Sequence, residues 1–318
     1  MLQELFRIPG INLPVYGYGL MLVLGLFAAI QLAKYLAGKF GMNGDDFVTA
    51  GILALISGIV GARLCHVLEN FGTYTDAHRS AWENFVAAIN LREGGLTYYG
   101  GFLFATPVLI VWGLKKKIPV LLGMDIVAPC LMVGLAFGRI GCLLNGCCWG
   151  QTCDLAWGMR FPFGSYPYVA DYEAGAVNPP PQLLGRTEDG RQVLLPKSEI
   201  ARDPTLKLLA SQNWSAPHHP AQVLSSITAF LIAATCLAYL TVRRSPGQVF
   251  ALMLILEGSG RFTLELLRVN PNVVTGFSLS MVISSSLVAG GILFWLLTAW
   301  LSRRNGDEDA TPAVPAPT

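Results

Sequence analysis

Residues 119–144 read PVLLGMDIVAPCLMVGLAFGRIGCLL, and they decide the fold class. The only ionisable side chains in this run, cysteine aside, are Asp125 and Arg139. Crossing the hydrocarbon core of a bilayer takes roughly 20 consecutive, mostly apolar residues, and this run exceeds that. Outward from it, comparable runs recur at 13–36, 47–68, 95–114, 221–242, 249–267 and 277–301, giving seven predicted spans. The whole chain agrees: of 318 residues, 53% are hydrophobic and only 13% charged, where soluble domains carry roughly 25% charged residues. The mean hydropathy is +0.50. The expected fold is therefore all-α, a polytopic membrane protein of about seven transmembrane helices with a small periplasmic insert.

The spans divide the chain into four blocks. Residues 1–150 hold spans one to four, and residues 151–220 form a polar extracytoplasmic insert containing Pro179-Pro180-Pro181. Residues 221–304 hold spans five to seven. Residues 305–318 are acidic, then rich in Pro and Ala, a composition expected to be disordered. The first run lacks a basic start and a small-residue cleavage site, so it reads as a retained helix. A net charge of +2 with no basic run interleaved with aromatics excludes a nucleic-acid partner. No internal repeat is visible, which speaks against many transporter architectures.

Positive charge orients such a chain. Lys34 and Lys39 follow span one, Lys115-Lys116-Lys117 span three, Arg243-Arg244 span five and Arg303-Arg304 span seven. With seven spans all four clusters fall on one side, the cytoplasm. The expected setting is a bacterial inner (plasma) membrane, with the N-terminus and insert outside and the C-terminus inside.

A charge within a span costs several kcal/mol and marks function by default. Arg63 and His66 fall near the outer end of span two, Arg139 near that of span four, and Arg261 in the outer half of span six. Tyr16 and Tyr18 open span one from outside, as Tyr98 and Tyr99 open span three; Asp125 is the exception, near the inner end. Glu257, Arg261 and Glu265 follow i, i+4 spacing, so Arg261 can be neutralised on its own helix. Arg63 and Arg139 have no carboxylate three or four residues away, and each calls for an external partner. A guanidinium matches a phosphate bidentately, so membrane lipid with an anionic headgroup fits that depth. For Arg63, snorkelling to the interface is the alternative. Glycines at 94, 95, 100 and 101, and at 138, 141, 146 and 150, allow close helix packing.

At the outer end of span four, Gly138-Arg139-Ile140-Gly141-Cys142-Leu143-Leu144-Asn145-Gly146-Cys147-Cys148-Trp149-Gly150 resembles the signature of the prolipoprotein diacylglyceryl transferase family, G-R-x-G-N-F-x-N-x-E-x-x-G. Tyr18-Gly19-Leu20, Gly61-Ala62-Arg63, Gly94-Gly95-Leu96-Thr97-Tyr98-Tyr99-Gly100-Gly101, His219-Pro220-Ala221-Gln222 and Gly260-Arg261-Phe262 through Glu265 and Arg268 resemble its other blocks, in order. The resemblance implies transfer of the diacylglyceryl group of phosphatidylglycerol to the lipobox cysteine thiol of a prolipoprotein. A thioether forms and glycerol phosphate leaves, with no cofactor and no metal. By the same resemblance Arg139 and Arg261 would hold the phosphate and the leaving group, with Tyr99 in the catalytic loop. Tyr18, Arg63, Asn145, Gly146, Glu265 and His219 would shape the substrate site.

The departures from that pattern are chemical. The loop's His is Tyr99 here, and a phenol with an ordinary pKa of about 10 is a poor base at neutral pH. The signature's first Asn is Cys142 and its Glu is Cys147; the Glu of the His-Pro-x-Gln block is replaced. Either another base serves, such as His66 or His219, or the acceptor has changed. A divergent paralogue with another acceptor, a non-enzymatic lipid-binding protein and a thiol–disulfide protein are the rival functions. Of seven cysteines, Cys65, Cys130 and Cys236 fall within spans as small apolar fillers. Cys142, Cys147, Cys148 and Cys153 cluster at the outer edge, where disulfides are the leading expectation. A zinc site is weaker on spacing, because the cysteines do not form a C-x2-C paired with a second C-x2-C. A thiol that carries the lipid transiently is the third reading.

Overall fold

The computed structural model describes residues 4–8, 13–75, 80–90, 95, 97–186, 190–268 and 278–305. Gly94 and Leu96 of the glycine loop and residues 306–318 of the tail lie outside the described residues. The chain opens on an antiparallel hairpin, β1 (Glu4–Ile8) and β2 (Leu13–Tyr16). It continues through α1 (Gly17–Lys39), α2 (Gly44–Glu69), the short α3 (Phe71–Tyr74), α4 (Ala81–Ile89), α5 (Tyr98–Lys115) and α6 (Val120–Asn145). The insert holds α7 (Tyr166–Glu173), a 3-10 turn, the hairpin β3 (Leu184–Arg186) and β4 (Gln192–Leu194), α8 (Lys197–Ile200) and α9 (Pro204–Gln212). Three long helices close the described chain: α10 (Ala221–Leu240), α11 (Gln248–Glu265) and α12 (Leu279–Asn305).

The fold is an all-α multi-pass membrane protein. Five helices, α1, α2, α6, α10 and α12, are long and apolar enough to cross a membrane. The other two predicted spans are helical over the expected stretches but weaker as isolated signals: α5 is 18 residues long, and α11, also 18, carries Glu257, Arg261 and Glu265. The first span starts four residues later than expected, because residues 13–16 pair with β1 as a strand. Helix α4 was not expected. Its start is a capping box, with the Ser80 hydroxyl accepting from the Glu83 N–H and the Glu83 carboxylate accepting from the Ser80 N–H.

Helices cannot associate in lipid through the hydrophobic effect, so they pack through small residues that let backbones approach. At the α2–α5 contact a Cβ added to Gly61 would lie 2.6 Å from the Gly100 carbonyl oxygen, and one added to Gly100 would lie 2.5 Å from the Cys65 Cβ. A Cβ on Gly258 of α11 would meet the Ser284 carbonyl of α12 at 2.8 Å. The central core joins α1, α2, α6, α10 and α11 through Ala37, Phe47, Ile126, Met132, Cys236 and Val249. Apolar side chains such as Phe27, Leu103, Leu231 and Leu293 face outward, where hydrocarbon would meet them.

Asp125, the exceptional charge, closes the far end of the bundle. Its carboxylate accepts from the N–H of Gly247 at 2.8 Å and of Phe250 at 3.0 Å, and Arg243 Nε lies 3.2 Å away. It satisfies the first turn of α11 and needs no ligand to explain it. The insert has its own small core of Phe163, Tyr168, Leu183, Ile200 and Ala210.

Candidate active site

The site begins with how α6 ends. Gly146 takes the left-handed conformation, φ +79°, and donates its N–H to the Cys142 carbonyl at 2.9 Å; the Cys147 N–H follows to the same oxygen at 3.1 Å. This is how helices stop at glycine. Two residues later Cys148 is also left-handed, φ +63°. A non-glycine residue there is strained, and such strain collects at functional sites. The double reversal folds residues 147 and 148 back over the helix end. Gln222 of α10, almost fully buried, pins the turn by donating to the Cys147 carbonyl at 2.8 Å. A further tie comes from the insert. Buried His218 has Nδ1 3.0 Å from the Gly150 carbonyl and Nε2 3.0 Å from the Asp171 carboxylate. Both nitrogens face acceptors, so the ring joins α7 to the segment after the turn.

Beside this turn lies a polar recess between α6, α10 and α11. Arg139, Cys148, Glu257, Arg261, Glu265 and Arg268 line it. The α11 residues recur at three- and four-residue intervals, so one helix face supplies them. Arg139 Nε and Arg268 Nε are buried and have no hydrogen-bond partner among the described residues. Buried polar groups are normally satisfied, and two such nitrogens beside one recess mark a place for an acceptor-rich anion. Arg261 reaches Ser280 Oγ at 3.4 Å. Glu257 stands within electrostatic reach of Arg261, one step of the expected i, i+4 series. Glu265 instead accepts from Ser278 Oγ at 2.8 Å and lies 3.8 Å from Arg268.

The other expected residues distribute around this centre. Tyr18 sits against Gly141, where an added Cβ would lie 3.0 Å from its ring, and it is within electrostatic reach of Arg139. Asn145 and Gly146 build the helix end. His219 backs the turn, accepting the Gly150 N–H at 3.2 Å through its carbonyl. Arg63 differs from expectation: its partner is internal. Its guanidinium donates to the carbonyls of Ala88 at 2.7 Å, Ala87 at 2.9 Å and Gly95 at 2.9 Å, so it fastens α4 and the glycine loop to α2. His66 lies against Gly95 on the same side. Tyr99 is exposed at the start of α5 and is not among the residues lining the recess.

The cysteines also depart from expectation. All seven are free thiols. The Sγ atoms of Cys142, Cys147 and Cys148 lie within 4.8 Å of one another. Linear spacing argued against such a set, because the two left-handed residues that create it leave no periodic trace. Hydrogen bonding with Cys142 and then Cys147 pushes the Cys148 thiol well below its ordinary range against the effect of burial, and the Arg268 and Arg139 guanidiniums add to it. Cys148, Arg268 and Gln222 were not expected as site residues. All three stand in sequence blocks already singled out, which was the available signal.

Fold and site together define a multi-pass α-helical membrane protein with a cationic recess at one end of its bundle. The chain belongs to the prolipoprotein diacylglyceryl transferase family, which it matches over residues 3–297. A phosphatidylglycerol–prolipoprotein diacylglyceryl transferase of Clostridium perfringens is 28% identical, over 93% of this chain and 96% of the relative. One from Clostridium tetani is 29% identical over 92% and 94%. A third, from Rhodopirellula baltica, is 34% identical, over 52% of this chain and 34% of the relative.

Proposed function

We propose that this protein moves the diacylglyceryl group of phosphatidylglycerol onto the lipobox cysteine thiol of a prolipoprotein, at the outer face of a bacterial inner membrane. The observation that carries this is the recess where Arg139 and Arg261 meet, with the buried Nε of Arg139 lacking a partner among the described residues. A phosphodiester supplies the missing acceptors. As the thiol sulfur attacks the glycerol carbon, the carbon–oxygen bond to phosphate breaks and the departing glycerol phosphate gains negative charge. Guanidiniums fixed beside that oxygen stabilise the change more than they stabilise the bound diester. Glu265 lines the recess, Tyr18 packs against Gly141 beside Arg139, and Asn145, Gly146 and His219 hold the turn at its rim. Arg63 acts at a distance by holding the loop that starts α5.

The basic clusters after α1, α5, α10 and α12 support an orientation with the C-terminus in the cytoplasm and the N-terminus outside. The recess, formed where α6 and α11 end, then opens in the outer leaflet.

The test is transfer of labelled diacylglycerol from phosphatidylglycerol to a lipobox peptide by the purified protein. Arg139→Ala and Arg261→Ala are each expected to lower the rate by about 100-fold or more. Tyr99→Phe, outside the recess, is expected to keep most of it. Full activity in both arginine variants would overturn the assignment.

A further inference from the structure

Transfer to a thiol needs a thiolate, and no histidine lines the recess. The family's loop histidine is Tyr99 here, exposed and outside the lining. The position of the signature's Glu is Cys147 and that of its first Asn is Cys142. Both replacements are sulfur, and the chain folds them together with Cys148. We propose that Cys142, Cys147 and Cys148 form a three-thiolate site for a zinc ion, whose fourth position binds the acceptor cysteine as its thiolate. This rests on the transferase reading and adds the activating group to it.

Three observations carry the site. First, the sulfur atoms already lie within 4.8 Å of one another. With Zn–S bonds of roughly 2.3 Å, tetrahedral geometry sets sulfur atoms about 3.8 Å apart, so only small side-chain movements are needed. Second, Cys148 holds a left-handed backbone, φ +63°, an unusual conformation for a non-glycine residue and one that collects at functional sites. Third, the Arg268 and Arg139 guanidiniums stand within electrostatic reach of Cys148. Four thiolates around Zn2+ carry a net charge of −2, and a cationic surround offsets it.

The donor set also explains why the site would be reactive. No histidine nitrogen or carboxylate oxygen among the described residues completes it, and zinc with three protein ligands keeps an open fourth position. Cys148 lines the recess, so the cluster meets the arginine site there. A thiol that coordinates zinc is deprotonated outright. In the balanced step, the acceptor thiol displaces a zinc-bound water and gives its proton to that water. The sulfur forms its bond to the glycerol carbon, and the carbon–oxygen bond to phosphate breaks. Glycerol phosphate leaves with the electron pair against Arg139 and Arg261, and the thioether, a poorer ligand, comes off the metal. Nothing is oxidised or reduced.

The experiment uses the full chain in detergent, loaded with Zn2+ alone or Co2+ alone. Zinc is expected at about one ion per chain, and at under a tenth of that in Cys142→Ser, Cys147→Ser and Cys148→Ser. Cys153→Ser, whose sulfur is outside the cluster, should keep its metal. The cobalt form should show thiolate charge-transfer absorption that grows by roughly a third when a lipobox peptide adds a fourth sulfur. The same peptide with Ser for Cys should leave it unchanged. Thermal unfolding of the Cys→Ser variants in detergent checks that they fold. A chain that holds no metal, or that transfers at full rate after chelation, overturns the zinc site and leaves the transferase reading standing. Metal held and peptide thiol bound, but no transfer from phosphatidylglycerol, supports the site and moves the failure to the lipid donor.

Discussion

Arg139 and Arg63 show two fates for a buried guanidinium. Both lie in apolar helices without a local carboxylate, and from sequence they are indistinguishable. Arg63 is satisfied by three carbonyls; Arg139 keeps a buried nitrogen without a partner among the described residues. Their substitutions should therefore separate. Arg139→Lys keeps the charge but not the two-pronged geometry. It is expected to lower kcat/KM for phosphatidylglycerol by about tenfold or more with little change in melting temperature. Arg63→Ala leaves carbonyls unmet, at a cost of about 1–3 kcal/mol. Thermal unfolding in detergent should fall by several degrees, with transfer per folded molecule reduced less than in the Arg139 variants.

Among the elements, the turn after α6 is where the chain invests most in geometry. Gln222 from α10 and His218 from the insert both converge on it. Asp171→Asn weakens the His218 tie without emptying the space. Amide hydrogen exchange over residues 149–153 should rise by roughly an order of magnitude while α6 and α10 stay protected. Gly146→Val forces a β-branched residue into φ +79° and should cost about 1–2 kcal/mol. Long helices such as α6 were legible because apolar length is a strong signal. The start of α1 was not, since residues 13–16 are apolar in strand and helix alike and only the partner β1 decides. Helix α4 escaped because nine residues with exposed Trp82 and Phe85 carry no span-length signal. The cysteine cluster was legible, but not which three of its four members converge, because two left-handed residues and not spacing bring them together.

For the whole molecule, the proposed seven-span arrangement makes a testable statement about orientation. A phosphatase that folds only outside the cytoplasm, fused after Gly175 of the insert, should be active, and one fused after Lys116 should not. The reverse pattern would put the recess in the wrong leaflet. At this scale the sequence put Arg139 and Arg261, far apart along the chain, near one leaflet, and both line one recess. The pairing of each was not legible, because depth says how far a residue lies along a span and nothing of which neighbour it faces.

The helices of this bundle are unequal. Helix α11, which carries half of the recess, is 18 residues long, as is α5, while α12 beside α11 has 27. At 1.5 Å per residue these are about 27 Å and about 40 Å. Hydrocarbon roughly 30 Å thick meets the first pair with a deficit and α12 with an excess. Hydrophobic mismatch of that kind is expected to thin the leaflet beside the short helices and bring headgroups toward Arg261. Shorter acyl chains should then raise turnover, and sterol-thickened or long-chain bilayers should depress it.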